Sequence, residues 1–246
     1  SWTGIWYGNP GRVLIEQTYP GTEDHKAHFN TLLPAFEDDR YIRVDDKPVF
    51  LVFQPSDLNK DVVDLWRELA LKAKLKGLFL VGIVKNTEEA IRIQSMGFDA
   101  CTISRTNGRG SNLPWIQTAM RKIFSNEKAV RLYQKMFQKP FHVYQYDEIQ
   151  PYINVESNLE IDFYPCVMPG WDNTPRSGVN GQVFNNADPK IFEEHLQQAV
   201  ERVTDNPDDH KIVIIKSWNE WAEGNHLEPD QRYGHAFLEA IGHVVK

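Results

Sequence analysis

Cysteine is scarce in this sequence. The chain contains two cysteines, Cys101 and Cys166, and neither belongs to a Cys-x-x-Cys pair or to a Cys/His cluster. This count excludes a disulfide-rich scaffold, and the missing ligand spacing argues against a structural metal site. Both residues fall inside apolar stretches, where a thiol behaves as a small hydrophobic side chain. We therefore expect both cysteines to be buried core residues.

Long hydrophobic runs and basic patches are also missing. No apolar stretch approaches the ~20 residues of a membrane helix and no signal-peptide pattern opens the chain, so we expect a soluble protein and favour the cytoplasm. A formal charge of −7 and a pI near 5.6, without a basic stripe, argue against a nucleic-acid partner. None of the eight histidines has metal-ligand spacing, and there is no Gly-rich strand-to-helix turn. The sequence therefore predicts no catalytic metal and no cofactor.

Strand-like and helix-like segments alternate along the chain. Apolar runs predict five strands, over 48–53, 77–84, 98–104, 161–168 and 211–218. Amphipathic stretches predict four helices, over 61–75, 87–96, 189–203 and 232–245. This order predicts a parallel α/β sheet with right-handed crossovers. Two polar loops, 106–114 and 170–186, follow strands, which is where α/β barrels keep their active sites.

Segment 217–229 is the most informative stretch because it sets several carboxylates and indoles directly after a predicted strand. Its candidate catalytic residues are Glu220 and Glu223, and its candidate substrate-binding residues are Trp218, Asn219, Trp221 and Glu228. Acids beside aromatic rings suit a carbohydrate-cleaving site, in which sugar rings stack on the flat side chains. Glu228 fits a second interpretation equally well, as the cap of the following helix.

Glu220 and Glu223 are three residues apart, so a helical turn after the strand would project both carboxylates to one side. Repulsion between like charges at close range would leave one carboxyl protonated and the other ionised near neutral pH. One acid and one base would then face the same sugar. The alternative is that each glutamate only caps a helix or forms an ion pair.

A second group of candidate substrate-binding residues lies in the predicted loop 170–186. Its members are Trp171, Asp172, Asn173 and Arg176. The indole offers a stacking face, and the Asp/Asn pair offers an acceptor and a donor for vicinal hydroxyls. The alternative is a turn, in which Asp and Asn serve the backbone. Arg176 suits a phosphate or a uronate, or an ion pair with a loop carboxylate.

Several blocks, in order along nearly the whole chain, resemble one protein family. They are Trp2-Thr3, Leu14-Ile15-Glu16-Gln17, Lys47-Pro48-Val49-Phe50-Leu51, Pro169-Gly170-Trp171-Asp172-Asn173-Thr174-Pro175-Arg176 and Trp218-Asn219-Glu220-Trp221-Ala222-Glu223-Gly224. This pattern is similar to that of the WbsX-type proteins of bacterial polysaccharide loci, which are related to the family-99 glycoside hydrolases. The resemblance implies a single catalytic domain over 1–246, of the (β/α)8 TIM-barrel type.

The resemblance also implies that this chain lacks the first three βα units, because the Trp-Thr block follows the third strand in such proteins. The five predicted strands then become the fourth to the eighth. Two sheet edges would be left open, and we expect an N-terminal segment or a partner to cover them. For the site, the resemblance implies that Glu220 is the base that deprotonates the sugar's own 2-hydroxyl, and that Glu223 protonates the departing oxygen.

Three functions remain open at this point. The first is a retaining glycoside hydrolase or transglycosylase that acts on a mannose-like or bacterial polysaccharide linkage. The second is a glycosyltransferase of lipopolysaccharide or O-antigen assembly, although the chain has no diphosphate cradle or Asp-x-Asp motif. The third is a non-catalytic glycan-binding module, which would keep the tryptophans and tolerate loss of Glu223. In each case the partner is an oligosaccharide or polysaccharide.

Overall fold

The computed structural model describes residues 2–4, 9–16, 18–103, 126–140, 142–148 and 160–245, which form an α/β structure. The strands are β1 Trp2–Gly4, β2 Asn9–Ile15, β3 Arg43–Val44, β4 Lys47–Phe53, β5 Phe79–Val84, β6 Ala100–Ile103, β7 His142–Gln145, β8 Asp162–Phe163, β9 Cys166–Val167, β10 Gln182–Asn185, β11 Ile214–Ile215, β12 Asn219–Glu220 and β13 Asn225–His226. The α-helices are α1 Thr22–Phe36, α2 Lys60–Lys72, α3 Thr87–Ser95, α4 Asn126–Phe137, α5 Thr174–Ser177, α6 Pro189–Val203 and α7 Ala236–Val244.

The chain divides into two compact units that alternate along the sequence. Unit 1 consists of Ser1–Arg105, Asn154–Pro165 and Val203–Ile212. Unit 2 consists of Thr106–Ile153, Cys166–Arg202 and Val213–Lys246. The interpretation of 1–246 as one catalytic domain stays a prediction.

Unit 1 is organised by a five-stranded sheet in the order β3-β4-β5-β6-β8. Strands β4, β5, β6 and β8 pair in parallel, and β3 joins the edge antiparallel to β4. Strands β1 and β2 form a separate antiparallel pair. An asparagine side chain caps the start of both α2 and α3. Asn59 accepts the backbone N–H of Val62, and Asn86 accepts that of Glu89. The parallel βα order is the predicted one.

The core of unit 1 lies between the sheet and its helices. Strand β5 is buried along nearly its whole length, and α2 contributes Trp66 to the same interior. Gly82 on β5 lets α3 approach closely, because a Cβ there would lie 2.2 Å from Cδ1 of Ile93. Cys101 is fully buried in β6, as the sequence predicts.

The described residues of unit 2 form three two-stranded pairs. Strands β9 and β11 pair in parallel, as do β7 and β10, whereas β12 and β13 form an antiparallel hairpin. Helix α6 begins and ends as the sequence predicts and buries Phe192 and Leu196. These side chains join a hydrophobic cluster with Val167, Phe184 and Phe237, which ties α6 and α7 to the strands. Cys166 is buried in β9.

Several local predictions need correction. The predicted strand 161–168 is divided into β8 and β9, which belong to different units. The predicted loop 170–186 contains α5 and β10, because β10 finds a distant parallel partner in β7. The predicted helix 232–245 starts only at Ala236, since the Asp230 side chain accepts the N–H groups of Arg232 and Tyr233 and holds a turn before it. Loop 106–114 lies outside the described residues.

The α/β class is confirmed, and the parallel order of unit 1 is consistent with part of an α/β barrel. Closure into eight strands, with three units missing from this chain, stays a prediction. Among the helices of the described ranges, none has both the length and the apolar character needed to cross a bilayer.

Candidate functional site

The β12–β13 hairpin carries both candidate catalytic residues. Its register pairs Asn219 with His226 and Glu220 with Asn225. Between the strands, Trp221–Glu223 form one 3-10 turn, which Gly224 ends in the left-handed region at φ 55°. The helical turn that the Glu spacing requires is therefore present, in its tighter 3-10 form.

Glu220 and Glu223 converge on one cation. Nη2 of Arg176 donates to Oε1 of Glu220 at 3.0 Å, and Nη1 of Arg176 lies 3.5 Å from Oε1 of Glu223. The side chain of Glu223 is only 17% exposed, against 39% for Glu220 and 36% for Arg176. A single guanidinium thus lies between a more open and a more enclosed carboxylate. Arg176 therefore forms the ion pair that the sequence suggested as an alternative to ligand binding, and it does so with two carboxylates instead of one.

A close backbone approach holds this arrangement together. The N–H of Asp172 donates to the carbonyl of Glu223 at 2.7 Å. A Cβ on Gly224 would lie 3.0 Å from the nitrogen of Asp172, so a larger residue would push the two segments apart. On the other segment, a Cβ added to Gly170 would lie 3.2 Å from the carbonyl oxygen of Gly224. A side chain at either glycine would crowd the other segment, and at Gly224 it would also meet the left-handed backbone conformation.

Asp172 and Asn173 serve the turn that presents Arg176. Oδ1 of Asp172 accepts the N–H and hydroxyl of Thr174, at 2.9 and 2.6 Å. Oδ1 of Asn173 accepts the N–H of Gln182 at 2.7 Å. Their side chains are therefore engaged in the backbone role that Asp and Asn commonly take in turns. The substrate role predicted for both residues stays a prediction.

Trp171 packs toward the hydrophobic cluster of unit 2. It contacts that cluster and lies beside Phe184, with ring centroids 6.4 Å apart. The Nζ of Lys216 lies 4.5 Å from the centre of its ring, which is a cation–π contact. Its Nε1 is buried and has no hydrogen-bond partner among the described residues. Lys216 thus lies over one face of the Trp171 ring. The predicted stacking of a sugar on this ring stays a prediction.

Trp221 contacts His226 of the hairpin and Glu228, which follows the hairpin. Its ring stacks on that of His226, with centroids 3.8 Å apart and planes 21° apart. Its Nε1 donates to Oε2 of Glu228 at 2.6 Å, so Glu228 fixes the indole. His226 in turn pairs with Asp230, Nε2 to Oδ2, at 3.1 Å. The structure therefore brings Trp221 and Glu228 together, and it groups them with His226 rather than with Arg176.

Trp218 and Asn219 are exposed side chains at the start of the hairpin. Trp218 is 53% exposed, and its carbonyl accepts the N–H groups of Leu227 and Glu228. Its indole is thus available to a ligand while its backbone closes the loop that follows the hairpin. Asn219 is exposed on β12 opposite His226. For both residues the substrate role stays a prediction.

His226, Asp230 and Asn225 were not among the predicted site residues. The four-residue spacing of His226 and Asp230 was a usable indication of contact. Burial alone would raise the pKa of Asp230, but hydrogen bonds from the Tyr233 N–H, from His226 and from the Arg232 N–H outweigh it and lower that pKa. Asn225 is fully buried, and neither polar atom of its side chain has a partner among the described residues. Nothing in the sequence pattern indicated this burial.

Unit 1 contains a group that could hold a metal ion. The ligand atoms of Asp45, Asp209 and His210 lie within 4.8 Å of one another. Nδ1 of His210 also contacts Oδ2 of Asp162 at 2.5 Å, and its Nε2 lies 3.2 Å from Oδ1 of Asp45. Without any metal ion, the group is thus explained as a set of ion pairs around His210.

The chain resembles known proteins in both sequence and structure. It matches two curated proteins called WxcX, described as uncharacterized, from two strains of Xanthomonas campestris pv. campestris. Each is 29% identical over 244 residues, which is 97% of this chain but 32% of the relative, so the chain spans about a third of their length.

Two solved structures are also similar. One is described as a glycoside hydrolase-like protein, with a TM-score of 0.59 and 15% identity over 91% of this chain and 61% of that one. The other is a GH99 endo-alpha-mannosidase from Bacteroides thetaiotaomicron in complex with bis-tris-propane, with a TM-score of 0.49 and 17% identity over 86% of this chain and 57% of that one. The first likeness shows that the fold is that of a glycoside hydrolase-like protein.

The family comparison covers almost the whole chain. The model of the family described as Glycosyltransferase WbsX matches residues 1–241, which include the hairpin and the Arg176 turn. The chain therefore belongs to the WbsX family.

Proposed function

We propose that this protein cleaves or transfers glycosidic bonds in a mannose-like or bacterial polysaccharide, with Glu220 and Glu223 as its acid–base pair. The observation that carries the proposal is the convergence of both carboxylates on Arg176, at 3.0 and 3.5 Å. An acid and a base must reach the same sugar unit, and side chains that share one guanidinium satisfy that requirement. Membership of a glycan-related family supports the same substrate class.

The roles follow the family resemblance. Glu220 takes the proton of the substrate 2-hydroxyl, whose oxygen attacks C1 as the bond from C1 to the departing oxygen breaks. Glu223 gives its proton to that oxygen. In the second step Glu223 takes a proton from water, or from an acceptor sugar, whose oxygen attacks C1. The bond from C1 to O2 then breaks, and Glu220 returns its proton to O2, so the anomeric configuration is retained.

Arg176 has a positioning role in this scheme. A guanidinium favours the ionised form of a carboxyl group to which it donates a hydrogen bond. Glu220 makes the shorter of the two contacts with Arg176, which suits an ionised base. The more enclosed Glu223 can approach a departing oxygen in a site with less water. The arrangement therefore suits Glu220 as the base and Glu223 as the acid.

The barrel is part of the same proposal. We infer that β4, β5 and β6 are successive strands of a (β/α)8 barrel whose first three units are supplied outside residues 1–246. The parallel order of unit 1 and the likeness to a glycoside hydrolase-like fold support this inference. An experiment on activity should accordingly use the full-length natural protein.

The test replaces each glutamate by glutamine, which keeps the shape and removes the proton transfer. We expect Glu220→Gln and Glu223→Gln to lower the rate of release of reducing sugar by about 10²–10⁴-fold. Glu194→Gln, an exposed residue of α6, is the matched control and should leave the rate unchanged. The substrates are a panel of α-mannosides and bacterial polysaccharides. Turnover within tenfold of the parent in either variant would contradict the assignment.

A glycosyltransferase is the second candidate, and the description of the family supports it. The two candidates differ in their need for a donor. Release of reducing sugar without any nucleotide supports hydrolysis, whereas product that forms only with a nucleotide sugar supports transfer. A glycan-binding module without catalysis would bind the panel equally well before and after Glu223→Gln, and would release no sugar.

A further inference from the structure

We propose that the hairpin has a second sugar-binding site, built on Trp221 and specific for a neutral sugar unit. The inference rests on the proposed function for the kind of polymer that is bound. It concerns the outer surface formed by Trp221, His226, Pro229, Asp230, Gln231 and Arg232, which we call the Trp221 groove. This groove contains neither glutamate of the proposed acid–base pair.

The hairpin register separates the groove from the glutamates. Directly paired residues of an antiparallel hairpin point to one face, and successive residues alternate between the faces. Glu220 and Asn225 therefore share one face, and Asn219 and His226 share the other. Trp221 stacks on His226, so its ring lies on the face opposite Glu220.

Trp221 is held as a rigid plate. One ring face rests on His226, and the Nε1 donates to Glu228, so the ring cannot rotate without losing both contacts. The residue is nevertheless 47% exposed. Since one face is covered by the imidazole, the exposed area belongs largely to the other face. A fixed, open indole face is what the apolar C–H side of a pyranose ring binds, at little cost in side-chain entropy.

The groove is large enough for a sugar, and it borders a second cavity. Its volume is about 690 Å³, and a neighbouring cavity of about 320 Å³ shares His226, Asp230 and Arg232 with it. That neighbouring cavity extends to Trp171. Both volumes lie within the range of small-ligand sites, which is roughly 300–1,000 Å³. A chain of more than one sugar unit can therefore be accommodated.

Polar groups around the groove match hydroxyls. Asp230 offers a carboxylate as an acceptor, while Arg232 lies over the Tyr233 ring at 4.8 Å and makes no ion pair within the described ranges. The buried Nδ1 of His226 has no partner there either. A donor and an acceptor beside an aromatic plate are the groups that fix a sugar diol.

The charges favour a neutral sugar over an acidic one. Asp230 lies in the groove, and Glu228 lies at the Nε1 edge of the Trp221 ring, while Arg232 is the cation among the groove residues. A uronate or phosphate would gain one contact with Arg232 but would meet two carboxylates. A neutral pyranose can use both the guanidinium and Asp230 without this repulsion.

The experiment measures binding by the full-length protein in a Glu223→Gln background, so that the probe is not consumed. The probes are neutral mannotetraose and, for comparison, an oligogalacturonate of four units, titrated by calorimetry. We expect Trp221→Ala to weaken mannotetraose binding by about tenfold or more, and Arg232→Ala by about fivefold. Trp221→Phe should stay within about threefold of the parent, because it keeps a stacking face. Lys190→Ala, an exposed cation of α6, is the control and should not change binding.

The proposal is overturned if Trp221→Ala binds mannotetraose as tightly as the parent, if the parent does not bind it, or if the parent prefers the oligogalacturonate. Trp221→Phe provides a variant that keeps the packing on His226 should the alanine variant be poorly folded. The proposed function fails separately. If both glutamine variants keep full turnover while Trp221→Ala loses binding, the acid–base assignment is wrong and this site remains.

Discussion

The two units use polar side chains differently. In unit 1, Oδ2 of Asp99 accepts both a guanidinium N–H of Arg67, at 2.7 Å, and the N–H of Leu80, at 2.8 Å. In unit 2, by contrast, Asn225 and His226 of the hairpin bury polar atoms that have no hydrogen-bond partner in the described residues. Unit 1 is not free of such atoms, since Nε1 of Trp66 and Oγ1 of Thr102 are also buried without one.

The two units thus differ in where their buried polar atoms lie and in which of them have hydrogen-bond partners. Burying an unpaired polar atom destabilises a protein by roughly 1–3 kcal/mol, so such atoms are retained where something else requires them. In unit 1 the paired carboxylates support a regular sheet. In unit 2 the unpaired atoms belong to Trp171, Asn225 and His226, which lie in the hairpin that carries Glu220 and Glu223 or in the segment before the Arg176 turn, whereas those of unit 1 belong to Trp66 and Thr102.

The largest expected effect tests the close backbone approach in unit 2. Gly224→Ala adds a Cβ 3.0 Å from the nitrogen of Asp172, at a left-handed φ of 55°. We expect a loss of roughly 2–4 kcal/mol in the free energy of unfolding, from backbone strain and overpacking together. Because the Glu223 carbonyl moves with Gly224, turnover should also fall. Urea denaturation and the reducing-sugar assay measure the two effects.

Gly234→Ala is the matched control for this variant. Gly234 has nearly the same φ, 56°, but nothing lies within 4 Å of an added Cβ. We expect it to cost only about 1 kcal/mol, from the left-handed backbone alone. Equal losses in the two variants would show that the Asp172 contact contributes nothing beyond backbone strain.

Much of unit 1 could be predicted from the sequence, because its strands are continuous apolar runs. Strand β4 was predicted over 48–53 and is found at Lys47–Phe53, and α3 was predicted over 87–96 and is found at Thr87–Ser95. Helix α1 was not predicted, since its apolar stripe is weak and Pro34 lies inside it. Strand β10 has only four residues and depends on a distant partner.

The site was less predictable than the sheet. The spacing of Glu220 and Glu223 indicated a shared face, but their contacts with Arg176 join distant parts of the chain, 44 residues apart in the case of Glu220. No local pattern specifies such a contact. The same holds for Trp221, because its position depends on the hairpin register, and a shift of one residue would reverse its face.

A medium effect tests the paired carboxylate of unit 1. Asp99→Ala removes the ion pair with Arg67 and leaves the N–H of Leu80 without its side-chain acceptor. We expect a loss of roughly 1–3 kcal/mol in the free energy of unfolding. Asp64→Ala, which removes the exposed pair with Lys60, is the control and should cost about 0.5 kcal/mol or less. Similar losses in both variants would contradict a structural role for the partly buried pair.

The smallest expected effect is a pH dependence around His210. Burial alone would lower the pKa of His210, but its hydrogen bonds to Asp162 and Asp45 outweigh burial and raise that pKa. A raised pKa in the folded state means that this contribution to stability is fully present below the unfolded value, about 6.5, and is lost as the pH rises through the folded value. Since the partners are partly exposed, we expect a difference under about 1 kcal/mol.

The measurement compares the parent with His210→Gln by urea denaturation at several pH values between 5.5 and 8.5. The parent should be the more stable protein at the acidic end, and its advantage should shrink toward the alkaline end. His243→Gln removes an imidazole from the exposed contact with Glu193 in unit 2 and serves as the control. A constant difference across the range would mean that His210 contributes through neutral hydrogen bonds and packing. The contrast with unit 2 would then depend on the partly buried pair of Asp99 with Arg67 and no longer on His210.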